Sequence, residues 1–129
     1  MRAPASYDYA VVRVVPRVDR EEFINAGVIL FSKACHFLAA HVRVDEERVR
    51  ALFPAADLDL VRRHLDAIPR ICSGEEDAGP IARLSQSERF QWLVAPRSTI
   101  IQVSPVHGGL CADPGARLHD LFLRLVDRC

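Results

Sequence analysis

The sequence predicts an α+β domain in which an antiparallel sheet of about four strands carries three or four helices, packed mainly on one face. Three observations lead there. The chain opens with β-branched and aromatic segments joined by short connections, its middle and last parts show apolar residues at helical spacing, and half of its 129 residues are hydrophobic. A chain of this length suits one core, so residues 1–129 are expected to form a single domain.

Tyr7 to Val15 reads as the first strand, with Tyr7, Tyr9, Val11 and Arg13 on one face and Ala10, Val12 and Val14 on the other, and Pro16 ends the ladder. Arg17 to Asn25 is charged, with one helical turn expected around Glu21, Glu22 and Phe23. Val28 to Ser32 is a short apolar run after Gly27, which suits a central strand. Ser32 to His36 is read as a hairpin turn into Phe37 to Val44, where Leu38, Ala40, Val42 and Val44 alternate with Phe37, Ala39, His41 and Arg43. Strands joined so tightly pair antiparallel.

Asp45 is placed to cap a short helix carrying Val49, Leu52 and Phe53 before Pro54. Asp57 caps the next, whose Leu58, Val61, Leu65 and Ile68 share a stripe, and Pro69 is expected to end or kink it. Ser73 to Pro80, acidic and glycine-bearing, reads as a mobile loop. Ser85 and Glu88 have capping-box spacing ahead of Phe90, Leu93 and Val94, with Trp92 off that stripe and so expected at the surface or an interface. Pro96 closes that helix, Thr99 to Ser104 returns to β character, Gly108 and Gly109 suggest a turn at positive backbone angles, and Asp113-Pro114 starts a last helix carrying Leu118, Leu121, Phe122 and Leu125.

Seventeen basic residues balance seventeen acidic ones, which removes any long-range field for nucleic acid or an anionic membrane and argues against both as partners. There is no leader-like segment and no apolar run of bilayer length, so a cytoplasmic protein is expected. Cys35, Cys72, Cys111 and Cys129 lack metal-site spacing and read as reduced thiols; the five histidines lack it too. No metal and no cofactor are expected. The Walker-type phosphate loop and the dinucleotide glycine fingerprint are both missing from the sequence.

Two segments hold candidate ligand- or anion-binding residues. In the first, which holds Glu22 and Asn25 as well, Arg13 interrupts an apolar strand face, where a charge needs a partner that Glu22 or an anionic ligand would supply, while Asn25 precedes the turn at Gly27. In the second, Arg97, Ser98 and Thr99 precede a strand and Ser104 and His107 follow it, a mixture of hydroxyls, charge and glycine backbone suited to a phosphate or carboxylate. Each residue also has a bland reading as a surface pair, cap or turn.

The stretches Tyr7-Asp-Tyr-Ala-Val-Val-Arg13-Val-Val-Pro16, Glu22-Phe-Ile-Asn25-Ala-Gly27-Val-Ile-Leu30 and Arg89-Phe-Gln-Trp92-Leu-Val-Ala-Pro96-Arg97-Ser98-Thr99, with Ser104-Pro-Val-His107-Gly-Gly109-Leu and Asp113-Pro114, resemble a family of small bacterial proteins catalogued as DUF 3037. The resemblance spans nearly the whole chain. It supplies no catalytic residue. It implies a neighbour in the genome, a HipA-like serine/threonine kinase, and hence a partner or modulator role in a stress or toxin–antitoxin-like system.

The residues thus lean towards a non-enzymatic binding or accessory module. The alternative is a small phosphate-ester or nucleotide-processing enzyme in which Arg13 and Arg97 hold phosphate while Glu22 or His107 moves a proton, which requires the two segments to meet in one cleft. A third reading is a self-associating unit, a homo-oligomer.

Overall fold

The computed structural model describes residues 3–97 and 99–127. In chain order the strands are β1 (Ala5–Val14), β2 (Ile24–Ser32), β3 (Phe37–Val42), β4 (Ile101–Val103) and β5 (His107–Cys111), and the helices α1 (Glu46–Leu52), α2 (Leu58–Ser73), α3 (Gln86–Val94) and α4 (Pro114–Leu125). All the pairings are antiparallel, and the α+β class is as expected.

β1 is the axis of the sheet. One edge pairs with β2, which pairs in turn with β3; the other edge is shared in tandem by β5 along Ala5–Tyr9 and β4 along Val12–Val14. Ser104 fills the gap between these two short strands. Its Oγ accepts from Val11 N–H at 2.8 Å, and its own N–H donates to Val11 O at 2.9 Å. The register between β1 and β2 slips by one residue beside Val12, where Gly27 faces Val12 and Asn25 faces Arg13.

The two faces of β1 part as the alternation predicts. Val12 and Val14, with Ile29, Phe31, Leu38 and Ala40, meet Val49 of α1, Val61, Leu65, Ile68, Ile71 and Cys72 of α2, and Phe90 and Leu93 of α3. Tyr7, with Val28 and Leu30, meets Leu118 and Leu121 of α4. Three helices therefore cover one face and the closing helix covers part of the other. Asp45, Asp57 and Asp113 accept the backbone N–H bonds expected of N-caps, and Ser85 with Glu88 forms the capping box.

Three local expectations change. Pro69 neither ends α2 nor stops its packing, because Ile71 and Cys72 beyond it are buried; two such side chains are worth about 1.5–3 kcal/mol each, against about 3 kcal/mol for an interior proline. Gly74, left-handed at φ 71, ends the helix instead. The segment after it is a 3-10 turn, Glu76–Ala78, which Arg70 holds through Glu75 at 2.7 Å and Asp77 at 2.8 Å. The early helical turn lies at Val18–Arg20, and Phe23 leads straight into β2. Gly108 and Gly109 belong to β5 rather than to a turn at positive φ. The missing Cβ at Gly109 makes room for the Tyr7 ring, whose Oη, Cζ and Cε1 would lie 2.7–2.9 Å from it.

Candidate functional site

The sheet sends the two candidate segments to different places. Arg13 pairs across the ladder with Asn25 and Gln102, so it shares their face, and its guanidinium lies 4.1 Å above the Phe23 ring. Glu22 forms a surface ion pair with Arg20. Asn25 donates from Nδ2 to Leu125 O at 3.1 Å and so ties the start of β2 to the last turn of α4.

Arg97 follows α3 and caps it. Its Nη2 donates to Trp92 O at 2.6 Å and its Nη1 to Leu93 O at 3.3 Å, while the guanidinium plane lies 4.3 Å from the Trp92 ring centroid. Thr99 donates from Oγ1 to Ile101 O at 2.8 Å, and Ser98 lies outside the described residues. The Ser104 hydroxyl donates to Pro105 O at 2.9 Å rather than to a base, and the exposed His107 packs its ring 5.4 Å from that of Tyr9. Arg13 and Arg97 line separate concavities. The first is bounded by Val15, Val18, Glu21, Phe23 and Gln102, and the second by residues of α2, α3 and β4 that include Ile101 and Val103, which alternate with Gln102 and face the three-helix layer.

The second concavity is a groove of about 530 Å³. Leu60, His64, Ala67 and Ile71 of α2 form one wall, Trp92 and Arg97 close an end, and Ile101 and Val103 line the strand side. Its chemistry is that of apolar contact with a few polar points, and Trp92 stays 41 % exposed, as its position off the α3 stripe predicts. β4 is an edge strand. Ile100 and Ser104 bond to β1 through Val15 N–H and Val11 O, so by alternation the N–H and C=O groups of Ile101 and Val103 point away from β1. No strand pairs with that side among the described residues.

Sequence reasoning picked out Arg97 and Thr99 of this groove but missed its α2 wall. The signal was there: Leu60, His64 and Ala67 repeat at helical spacing beside the stripe that reaches the core, and Ile71 borders both, which makes α2 broader in apolar surface than one core contact needs.

Among the described residues no cluster of three metal-ligating side chains occurs, and Cys35, Cys72 and Cys111 are free thiols; Cys129 lies outside the described residues. Burial pushes the Cys72 thiol up from 9.0 to about 12, against a smaller lowering by the Arg89 guanidinium, which itself donates to Cys72 O at 2.7 Å. A thiol held neutral in the fold ionises more readily once unfolded. Stability from this group is therefore full below pH 9 and falls as pH rises from about 9 towards 12. At pH 8, an aromatic disulfide reagent should label the partly exposed Cys35 and spare Cys72 until denaturant is added, and rapid labelling of Cys72 in the native protein would contradict its burial.

A family model described as "Protein of unknown function (DUF3037)" matches residues 9–126. No curated protein and no solved structure matches the chain.

Proposed function

From the premise that the chain belongs to this family, which fixes no activity, we propose that it is a non-enzymatic binding module whose groove between α2, α3 and β4 receives an extended apolar segment of a partner protein. One observation carries the reading: a half-exposed tryptophan, held by Arg97, stands in an apolar groove beside a strand edge that no other strand pairs with among the described residues, though Thr99 already donates to its Ile101 carbonyl. Such an edge takes main-chain hydrogen bonds from an added strand while alternate side chains enter the groove, and tryptophan is among the residues that dominate binding energy. The partner proposed from the family resemblance is a HipA-like serine/threonine kinase in the bacterial cytoplasm, as part of a stress or toxin–antitoxin-like system.

The reading as a phosphate-ester or nucleotide-processing enzyme asks for Arg13 and Arg97 in one cleft. They line different ones, and the binding module is favoured on that ground.

The test is co-purification with the neighbouring kinase followed by calorimetric titration. Trp92→Ala is expected to weaken the complex at least about 30-fold, on the order of 2 kcal/mol, with the fold intact because the side chain is already half exposed. A complex of unchanged affinity in this variant, or no complex at micromolar concentration, would remove the proposal. Native mass measurement on the isolated chain decides whether it self-associates.

A further inference from the structure

The groove between α2, α3 and β4 carries charge of one sign. Its lining includes Arg97 and His64 and no carboxylate. Arg63, exposed beside His64, lies one turn of α2 from both Leu60 and Ala67 and adds a second guanidinium at the rim. In a chain with seventeen basic and seventeen acidic residues such a bias is local, and the ion pairs show where the acids are used. They engage arginines of α1, α2 and α4, whereas none of Arg63, His64 and Arg97 takes part in an ion pair among the described residues.

The carboxylates nearest along the chain are committed or face away. Asp59 pairs with Arg62, and Asp66, two positions from His64, stands round the helix from it. On α3, Glu88 lies one turn before Trp92, but its carboxylate accepts from Ser85 N–H at 3.3 Å and from Ser85 Oγ at 2.9 Å in the capping box. The helix that Arg97 caps offsets only part of its charge. The carbonyl end of a helix carries about half an elementary charge, and two N–H groups of the guanidinium meet it at Trp92 O and Leu93 O. The rest of the half-buried fork keeps a net positive charge beside the Trp92 ring.

An apolar channel with a positive rim and an open strand edge selects by all three properties. Leu60, Ile71, Ile101 and Val103 call for apolar side chains, and Arg63 with Arg97 favours carboxylates over amides or ammonium groups on the same segment. On β4, Ile101 N–H and both backbone groups of Val103 are open to an added strand, while Ile101 O is occupied by Thr99 Oγ1. A nucleic-acid strand fits less well, because Arg97 covers one face of Trp92 and the rest of the wall is aliphatic apart from His64. We infer that the groove recognises an acidic strand: an extended segment of the partner with apolar side chains at alternate positions, flanked on the same face by carboxylates that meet Arg97 and Arg63. The inference rests on the binding-module reading and specifies the segment that such a partner presents.

Trp92 is the single tryptophan, so its emission reports the groove without a label. The probes are N-acetylated, C-amidated heptapeptides of the pattern X-Thr-Val-Thr-Ile-Thr-X, in which X is Glu, Gln or Lys and shares a face with Val and Ile. At low salt the Glu peptide is expected to bind about fivefold more tightly than the Gln peptide, and the Lys peptide more weakly than either. The preference should shrink at high ionic strength, approach parity in the double variant Arg63→Gln, Arg97→Gln, and persist in Arg97→Lys, which keeps the charge. Equal affinity of the unaltered protein for the Glu and Gln peptides overturns the acidic preference and leaves the groove as a binding site. No response of Trp92 to any peptide at millimolar concentration, or a response to a single-stranded oligonucleotide but not to the Glu peptide, overturns it as well, whereas the binding-module reading stands or falls separately with the kinase complex.

Discussion

Replacing Gly27 by alanine is expected to cost about 3 kcal/mol of stability, near the top of the range for overpacking a tight interior. Gly27 sits in β2 between β1 and β3, opposite Val12 on one side and Val42 on the other. A Cβ there would stand 2.8 Å from the His41 carbonyl oxygen and 2.8 Å from Val42 Cγ1. Its backbone angle is not at issue, since Gly27 is not among the positive-φ residues; the cost is contact. One neighbour is backbone in a paired strand and cannot rotate away, so β3 must move or the ladder must open. Against a total of about 5–15 kcal/mol for a domain, such a loss is large. Urea denaturation of the wild type and of Gly27→Ala measures it, and a difference below about 1 kcal/mol would mean that β2 and β3 part more easily than their pairing implies.

Leu118→Ala is expected to destabilise by a similar amount, about 2–5 kcal/mol. Leu118 is 1 % exposed in α4 and meets Tyr7, Val28 and Leu30 on the face that α4 alone covers. A cavity there has few neighbours to close it, because the cluster is small compared with the one beneath α1, α2 and α3. The loss should also reach Asn25, whose bond to Leu125 O depends on where α4 lies. Amide hydrogen exchange should therefore quicken in β5 and at the start of β2 before it does in α2, and uniform quickening would show that both faces melt as one unit.

The fold was legible where one physical signal dominated. The alternation in Phe37 to Val44 places Leu38 and Ala40 against the three helices and Phe37 and Ala39 against α4, and the caps at Asp45, Asp57, Ser85 and Asp113 all bond as their residue types require. It was illegible where contacts distant in sequence outweighed local preference. Gly108 and Gly109 carry turn chemistry, yet β1 recruits them as a strand because Tyr7 needs the space above Gly109. Pro69 marks a stop, yet the burial of Ile71 and Cys72 carries α2 past it.

The candidate residues follow the same division. Arg13 stood out as a charge in need of a partner, and among the described residues it gains the Phe23 ring face but no acceptor for its Nε. Arg97 stood out as a charge near hydroxyls, and what it does is brace Trp92. The breadth of the apolar surface on α2 was in the sequence, but only the position of β4 shows that it faces a cleft.

Ser104 meets Val11 across 93 positions of chain, and with β4 and β5 it completes the second side of β1. During synthesis the central strand is thus translated early and finished late. A chain of only the first hundred residues has β1, β2 and β3 but neither β4 nor β5, so the β1 margin is raw in addition to the β3 edge that stays open in the finished sheet. Such distant closure slows folding relative to proteins built from neighbouring contacts, so the yield of native protein should depend on dilution and on chaperone supply more than its modest size suggests.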